Sequence, residues 1–351
     1  MRNFLLLIFF IPFLSFAQTD SLIFKNQDVI VGEIKSMNRG VIQIETDYSD
    51  SDFKIKWNEL IYVKSDTRYL FTLRDGTRLN GKISTLEDGT FLIRYVDPAA
   101  FIRIKKGEKE EDQQVQEQIV TSSEIVFMNA LDDGFWSRLS ASIDLGWSLT
   151  KANNLRQFNI RSGLGYLADR WKINSSFNNI RSNQDEVEPT KRTDANASFV
   201  YFLPKDWFLL YDFTFLSNTE QLIRARVGNK VGFGKYLVHT NKSYFGFQLG
   251  ANLNNETYFD DTPGRRSGEA FLGSELNLYD IGDLTFFSSV FAYPNLTEKG
   301  RFRTDFRLDL KYEFLEDFYV NLGTTINYDN RPISGASSLD YIFQTTIGWS
   351  L

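Results

Sequence analysis

The chain has 351 residues, no cysteine, 32 Phe, 16 Tyr and only 7 Pro, with a formal net charge of -6 at pH 7 and a mean hydropathy of -0.29. That hydropathy excludes a polytopic helical membrane protein. The mild acidity gives no basic field for nucleic acid, and the missing cysteines exclude disulfides and thiolate metal sites. Aromatic, Thr, Val and Ile residues suit pleated, half-buried surfaces, which sets an all-β expectation.

The first stretch, MRNFLLLIFFIPFLSFA, has one basic residue, Arg2, then an apolar run from Phe4 to Phe16. Ser15-Phe16-Ala17 is a small-x-small cleavage pattern, so residues 1–17 read as a secretory signal peptide cut between Ala17 and Gln18. The run is short for a spanning helix, which needs about 20 residues. An exported chain without disulfides requires a large hydrogen-bonded sheet system to hold it.

Residues 18–134 contain an internal repeat. Gly32 in FKNQDVIVGEI matches Gly81 in LRDGTRLNGKI, and Gly40 matches Gly89 at the same offset. Each unit reads strand, turn, strand with Gly, turn, strand. The expectation is two tandem small β-rolls resembling Sm-like or SH3-like barrels, 18–66 and 67–134. Trp57 to Ile61 would close the first, and Ser122 to Val126 the second. Residues 105–118, KKGEKEEDQQVQEQ, read as an exposed loop or short solvated helix inserted into the second unit.

From residue 135 to 351 long alternating segments recur. Leu139, Ala141, Ile143, Leu145, Trp147 and Leu149 share one face of the first, and eleven more follow. The ninth, Leu284 to Tyr293, is apolar on both faces and ambiguous in register. The tenth, RFRTDFRLDLKYEF, places Phe302, Phe306, Leu308, Leu310, Tyr312 and Phe314 opposite Arg303, Asp305, Arg307, Asp309, Lys311 and Glu313. Connections near Ala168, Pro204, Tyr279 and Leu315 are tight. Those at 183–192, 258–266, 295–300 and 329–337 are longer and polar, and the one between the sixth and seventh segments also reads as longer.

A soluble sandwich alternates too, so length decides. Soluble strands have a mode of about 5–6 residues, whereas the tenth segment would run roughly 45 Å at ~3.4 Å per residue. Tilted, that spans a hydrocarbon core of about 30 Å. An even count near twelve, short turns at one end, longer loops at the other and aromatics at many strand ends (Trp136, Tyr166, Trp171, Trp207, Tyr293, Phe318, Tyr328, Trp349) together predict an antiparallel outer-membrane β-barrel. Lipid cannot satisfy an open edge, so closure is expected. Phe343, Ile347, Trp349 and Leu351 share the outer face of the last strand and resemble the terminal signal that barrel assembly machinery recognises.

The NQDVIVGEI module, the KWNEL segment and a C-terminal barrel opening near SASIDLGW resemble the salt-induced outer-membrane protein family, a domain of unknown function in Gram-negative bacteria. The resemblance covers most of the mature chain. It implies the barrel fold and an outer-membrane location, and it implies no substrate; the even strand count with short turns at one end sets the expectation of a periplasmic N-terminal region and of outer-membrane lipid as partner.

No signal for catalysis emerges. His239, the one histidine, falls in a turn where a Ser-His-Asn site would not form. The acid pairs Asp260-Asp261 and Asp185-Glu186 lack EF-type spacing, and no phosphate loop is present. The expectation is a non-enzymatic barrel without a cofactor. Arg224, Arg226 and Lys230, with the charged face of the tenth segment, are the candidate lumen residues. Three readings stand: a closed, salt-bridged interior in a structural or scaffold protein whose β-rolls hold a periplasmic protein or peptidoglycan; a narrow channel for a small polar or anionic solute with Arg224, Arg226 and Lys230 as its track; and a soluble secreted all-β binding protein.

Overall fold

A computed structural model describes residues 20–96, 115–131, 134–151, 154–185, 187–219, 222–260, 263–281, 283–315, 318–331 and 338–349. The proposed cleavage site at Ala17 and Gln18, and Leu351, lie outside the described residues.

Among the described residues the N-terminal region has ten strands: β1 (Asp20–Phe24), β2 (Val29–Asn38), β3 (Val41–Glu45), β4 (Phe53–Lys56) and β5 (Leu60–Lys64), then β6 (Tyr69–Leu73), β7 (Arg78–Thr85), β8 (Phe91–Val96), β9 (Val115–Val120) and β10 (Ile125–Ala130). The repeat holds at the level of register. Asp20 faces Gly32 and Leu22 faces Ile30 in the first unit; Tyr69 faces Gly81 and Phe71 faces Leu79 in the second. The glycines are needed for close approach: a Cβ on Gly32 or Gly81 would lie 2.1 Å from the carbonyl oxygen of Glu45 or Arg94.

The two units do not close as separate rolls. β5 pairs with β7, and β10 pairs with β2. With β1–β5, β6–β7, β6–β10 and β1–β2, these ladders form one closed ring in which each unit supplies half the strands. Hairpin β3–β4 extends from β2, and β8–β9 from β7. One core fills the ring, with Leu22, Ile34 and Ile42 from the first unit against Phe71, Ile83 and Ile125 from the second. The physical reason is edge protection: a lone five-strand unit would leave β2 and β5 with unpaired backbone groups and a small core. The charged insertion also differs from expectation. Residues 115–118 begin β9, an edge strand on β8, where Arg94 Nε donates to Glu117 at 2.8 Å. Edge strands tolerate charged side chains. Residues 105–114 lie outside the described residues.

The remainder forms twelve antiparallel strands in sequence order: β11 (Leu139–Thr150), β12 (Leu155–Leu167), β13 (Trp171–Gln184), β14 (Val187–Phe202), β15 (Trp207–Asn218), β16 (Ile223–His239), β17 (Ser243–Tyr258), β18 (Arg265–Ile281), β19 (Leu284–Pro294), β20 (Phe302–Leu315), β21 (Phe318–Asp329) and β22 (Leu339–Trp349). β16 and β18 reach 17 residues each, about 58 Å at ~3.4 Å per residue, far beyond the strands of an ordinary sandwich. Strands β13 and β14 extend into the segment read as a loop at 183–192, and β16 runs through His239, so the turn to β17 is short rather than long.

The sheet curls so that one face encloses an interior. Lys230 on β16 reaches the rings of Phe271 on β18 and Phe291 on β19, at 4.4 and 4.7 Å from their centroids. The other face is apolar and exposed, with Val231, Leu272 and Ile347 each more than half accessible. Near the short-turn end this face carries rings in contact: Phe135, Tyr166, Trp171 and Phe199 form one chain, and Phe314, Phe318 and Trp349 another. Tyr293, expected in that girdle, points inward, because it faces Arg303 across the ladder. Closure also differs from expectation. Among the described residues no ladder joins β11 to β22, and both strands are exposed along most of their length. They are shorter than the strands opposite and form a seam in the wall. No helix among the described residues is long and apolar enough to cross a membrane, which says nothing about crossing by strands.

Candidate functional site

The candidate site is the barrel interior. At its long-loop end five cations converge with carboxylates. Arg226 Nε donates to Glu256 at 2.9 Å, and Glu256 also accepts the Tyr258 hydroxyl at 2.6 Å. Lys230 Nζ lies 3.9 Å from Asp212. Arg265 Nε donates to Glu298 at 2.8 Å, and Arg301 Nη2 to Asp329 at 2.6 Å. Arg303 forks onto Glu269 through Nε and Nη2, at 3.0 and 2.8 Å. Glu269 is 1% exposed and accepts Asn252 as well, so its charge is removed from water yet fully matched. Two-point arginine–carboxylate pairing of this kind fixes geometry as well as charge.

β20 pairs its charges in two ways. Near the long-loop end Arg303 reaches past β19 to Glu269. Further along, Arg307 donates to Asp309 at 2.7 Å and Lys311 lies 2.6 Å from Glu313, each pair within the strand rather than across it. Alternation puts residues two apart on one face, so opposite charges at that spacing meet. The register of β19 is settled by the same ladder: Phe287 faces Asp309 and Phe291 faces Asp305.

Arg224 is not part of this network. A bulge between Ile223 and Ala225 breaks the alternation, and the exposed Arg224 guanidinium sits 5.7 Å from the Phe259 ring instead. A bulge places two residues opposite one and re-aims a side chain; alternation counted from Lys230 therefore misplaces it. His239 Nδ1 is 2.9 Å from Asp206, bridging two short turns.

Below the charged chamber the interior turns apolar. Phe208, Leu210 and Phe271 are buried, packed with Val200, Phe202, Tyr236, Phe291 and Tyr293. Sequence reasoning missed this cluster. Its signal is the apolar character of both faces of Trp207–Phe215 and Leu284–Tyr293.

The N-terminal ring is seated on the short-turn mouth. Arg78 on β7 lies 4.1 Å over the inward-facing Phe202 ring and donates Nε to the Asp169 carbonyl at 2.7 Å. Asn80 and Arg138 both donate to the Asp169 carboxylate at 3.1 Å. Arg39 covers the Tyr279 ring at 4.7 Å, and Asn241 donates to the Ile125 carbonyl at 2.9 Å. Gly76 meets the Asp206 backbone so closely that a Cβ there would lie 2.2 Å from its nitrogen. Contacts thus run from the β12–β13 turn to the end of β18. Burial lowers the Arg78 guanidinium from the ordinary arginine range to about 10, with Asp169 opposing the shift, so it stays cationic at neutral pH.

These features define a twelve-stranded antiparallel barrel domain with paired charges inside, an apolar exterior and a small β domain on one mouth. Residues 143–351 match the model described as "Protein of unknown function, DUF481", and the chain belongs to that family. No curated protein matches. Among solved structures, similarity extends to a NanC porin (11% identity, TM-score 0.36, covering 60% of this chain and 100% of that one). It extends also to a KdgM porin in complex with disordered oligogalacturonate (11%, 0.29, 60% and 99%), and to a porin refined at 1.8 Å (10%, 0.33, 95% and 98%). At scores this low the likeness carries no argument about transport.

Proposed function

We propose that the chain is a non-enzymatic outer-membrane barrel protein whose periplasmic mouth is capped by its own N-terminal domain, and that it conducts no steady ion current while the cap is seated. The observation that carries this reading is the placement of Arg78: an arginine of the ring enters the mouth, covers Phe202 and is tied to the β12–β13 turn. The exposed apolar exterior with its rings at the short-turn end supports a lipid surroundings. The paired chamber and the aromatic cluster support a structural role over an open pore, since opposite charges matched in pairs leave little net field to draw an ion. In this reading the short turns and the ring face the periplasm, Phe343, Ile347 and Trp349 present the insertion signal on β22, and barrel assembly machinery recognises it.

Planar-bilayer recording of the purified full chain tests this. The expected result is absence of steady ohmic conductance, with current emerging on combining Arg78→Ala and Asn241→Ala, which remove ties between ring and mouth. A steady conductance in the unmodified chain would favour the channel reading, with Arg226 and Lys230 as its cationic residues.

A further inference from the structure

Between the ring and the barrel mouth lies a cavity of 670 Å³, within the range of about 300–1,000 Å³ common for small-molecule sites. Its charge balance is unlike that of the chamber above. Arg39, Arg78, Arg138 and Lys172 line it, with Asp206 as the one lining carboxylate, and Asp206 is already engaged by His239.

Each cation can be followed to its partner. Arg138 has the Asp169 carboxylate, which it shares with Asn80. Arg39 has the face of Tyr279. Arg78 gives its Nε to a neutral carbonyl, and its buried Nη2 has no hydrogen-bond acceptor among the described residues. Lys172 forms no ion pair among the described residues; its ammonium stands 5.8 Å from the centroid of Phe202, the ring that Arg78 also covers. Two like charges therefore flank one ring in a partly desolvated space. A buried donor without an acceptor is costly, and two cations held this close add to that cost in a medium of reduced dielectric. In the long-loop chamber every one of the five cations has a carboxylate, so this region stands apart within one molecule.

We propose that this cavity is an oxyanion-binding site, with the phosphate or carboxylate group of a small polar solute held between Arg78 Nη2 and the Lys172 ammonium. Arg78 offers planar N–H donors suited to an oxyanion, and Lys172 offers a mobile point charge. The volume leaves room beyond the anionic group, where Asn174 and Tyr236 provide polar atoms for the rest of a solute of monosaccharide size. The site does not depend on whether the barrel conducts.

Isothermal titration of the full chain in detergent micelles, with inorganic phosphate and with glucuronate as separate titrants, tests the proposal. The expected result is saturable, one-to-one binding of at least one titrant. Tighter binding of glucuronate assigns the site to sugar acids, and tighter binding of phosphate to the free ion or a phosphate ester. Lys172→Gln, which removes charge and breaks no hydrogen bond, weakens binding by about tenfold or more, whereas Lys172→Arg retains it. No saturable heat with either titrant in the millimolar range, in the unmodified chain, overturns the proposal. So does unchanged affinity in Lys172→Gln.

Discussion

Asp20 and Tyr69 hold the same place in the two N-terminal repeats, 49 residues apart, and their side chains meet: the Tyr69 hydroxyl donates to Asp20 Oδ2 at 2.9 Å. The Ile34 amide donates to the same carboxylate at 2.8 Å, and Ser65 donates to its other oxygen. Both residues are fully buried. Equivalent positions that touch lie close to the approximate two-fold relation between the units, so this contact joins the halves of the ring at its centre.

Burial of the Asp20 carboxyl makes the ring pH-sensitive. Burial pushes the Asp20 carboxyl above its usual range, against the opposing donors Ser65, Ile34 and Tyr69. A carboxyl raised in the folded state contributes stability that is full below its unfolded value, near 3.9, and is lost as pH rises through the folded value. Hydrogen exchange of β1 and β6 amides, corrected for intrinsic rates, should therefore show costlier opening as pH falls towards that value. Asp20→Asn should flatten the dependence. Tyr69→Phe should lower the opening free energy by about 1–3 kcal/mol, because it strips a donor from a buried carboxylate.

The paired glycines separate two kinds of constraint. Gly32→Ala and Gly81→Ala should each destabilise the ring severely, since the new Cβ would lie 2.1 Å from a backbone carbonyl oxygen that the neighbouring strand holds in place. Gly89→Ala meets nothing within 4 Å and suffers only from its φ of +81°, a cost of about 1–2 kcal/mol. Urea unfolding followed by far-ultraviolet circular dichroism should rank the three in that order.

Gly76→Ala carries the same φ cost to the ring as Gly89→Ala, since its φ is also +81°, and should in addition loosen the cap. Its Cβ would strike the Asp206 backbone at 2.2 Å, on the barrel rather than within the ring. Faster exchange should follow in the 203–206 turn and in the turn before β7, with β1 and β6 affected no more than by Gly89→Ala.

Glu269→Gln leaves the Arg303 guanidinium facing a neutral amide in a buried site. Breaking one partner of such a pair costs about 3–5 kcal/mol. Heat-modified mobility on gels should shift to lower temperature, and Glu269→Gln with Arg303→Met together should recover part of the loss.

Adjacent residues on β19 should have opposite fates. Val290 is exposed on the outer face, and Ser289 faces Arg307 on the inner one. Val290→Lys should cost about 2–4 kcal/mol near the membrane midplane, while Ser289→Lys remains close to neutral. Folding equilibria into lipid vesicles would distinguish them.

Period-two alternation made the twelve strands legible, because one face of each meets an apolar surrounding throughout. The glycine offsets likewise revealed the repeat, since close approach and positive φ both demand that residue. Which strand pairs with which across the units was not legible: β5–β7 and β10–β2 rest on three-dimensional edge matching that no periodicity encodes. Arg224 was misplaced for a local reason, one extra residue in the ladder. The cluster of Phe208, Phe271 and Phe291 sat on a face assumed to be polar. The roles of Arg39, Arg78 and Lys172 arise only where two domains meet, and the intervening sequence carries no trace of that juxtaposition.

Edge pairing of β5 with β7 and of β10 with β2 makes the N-terminal domain, in effect, a homodimer written as one chain. Each half completes the other, so an intermediate with one half folded retains exposed edges until its twin arrives. Losing the second unit would not yield a smaller working domain but a sticky half seeking a copy of itself. A single-unit relative could rebuild the same ring only by pairing two barrels, which turns a question of sequence length into one of assembly state.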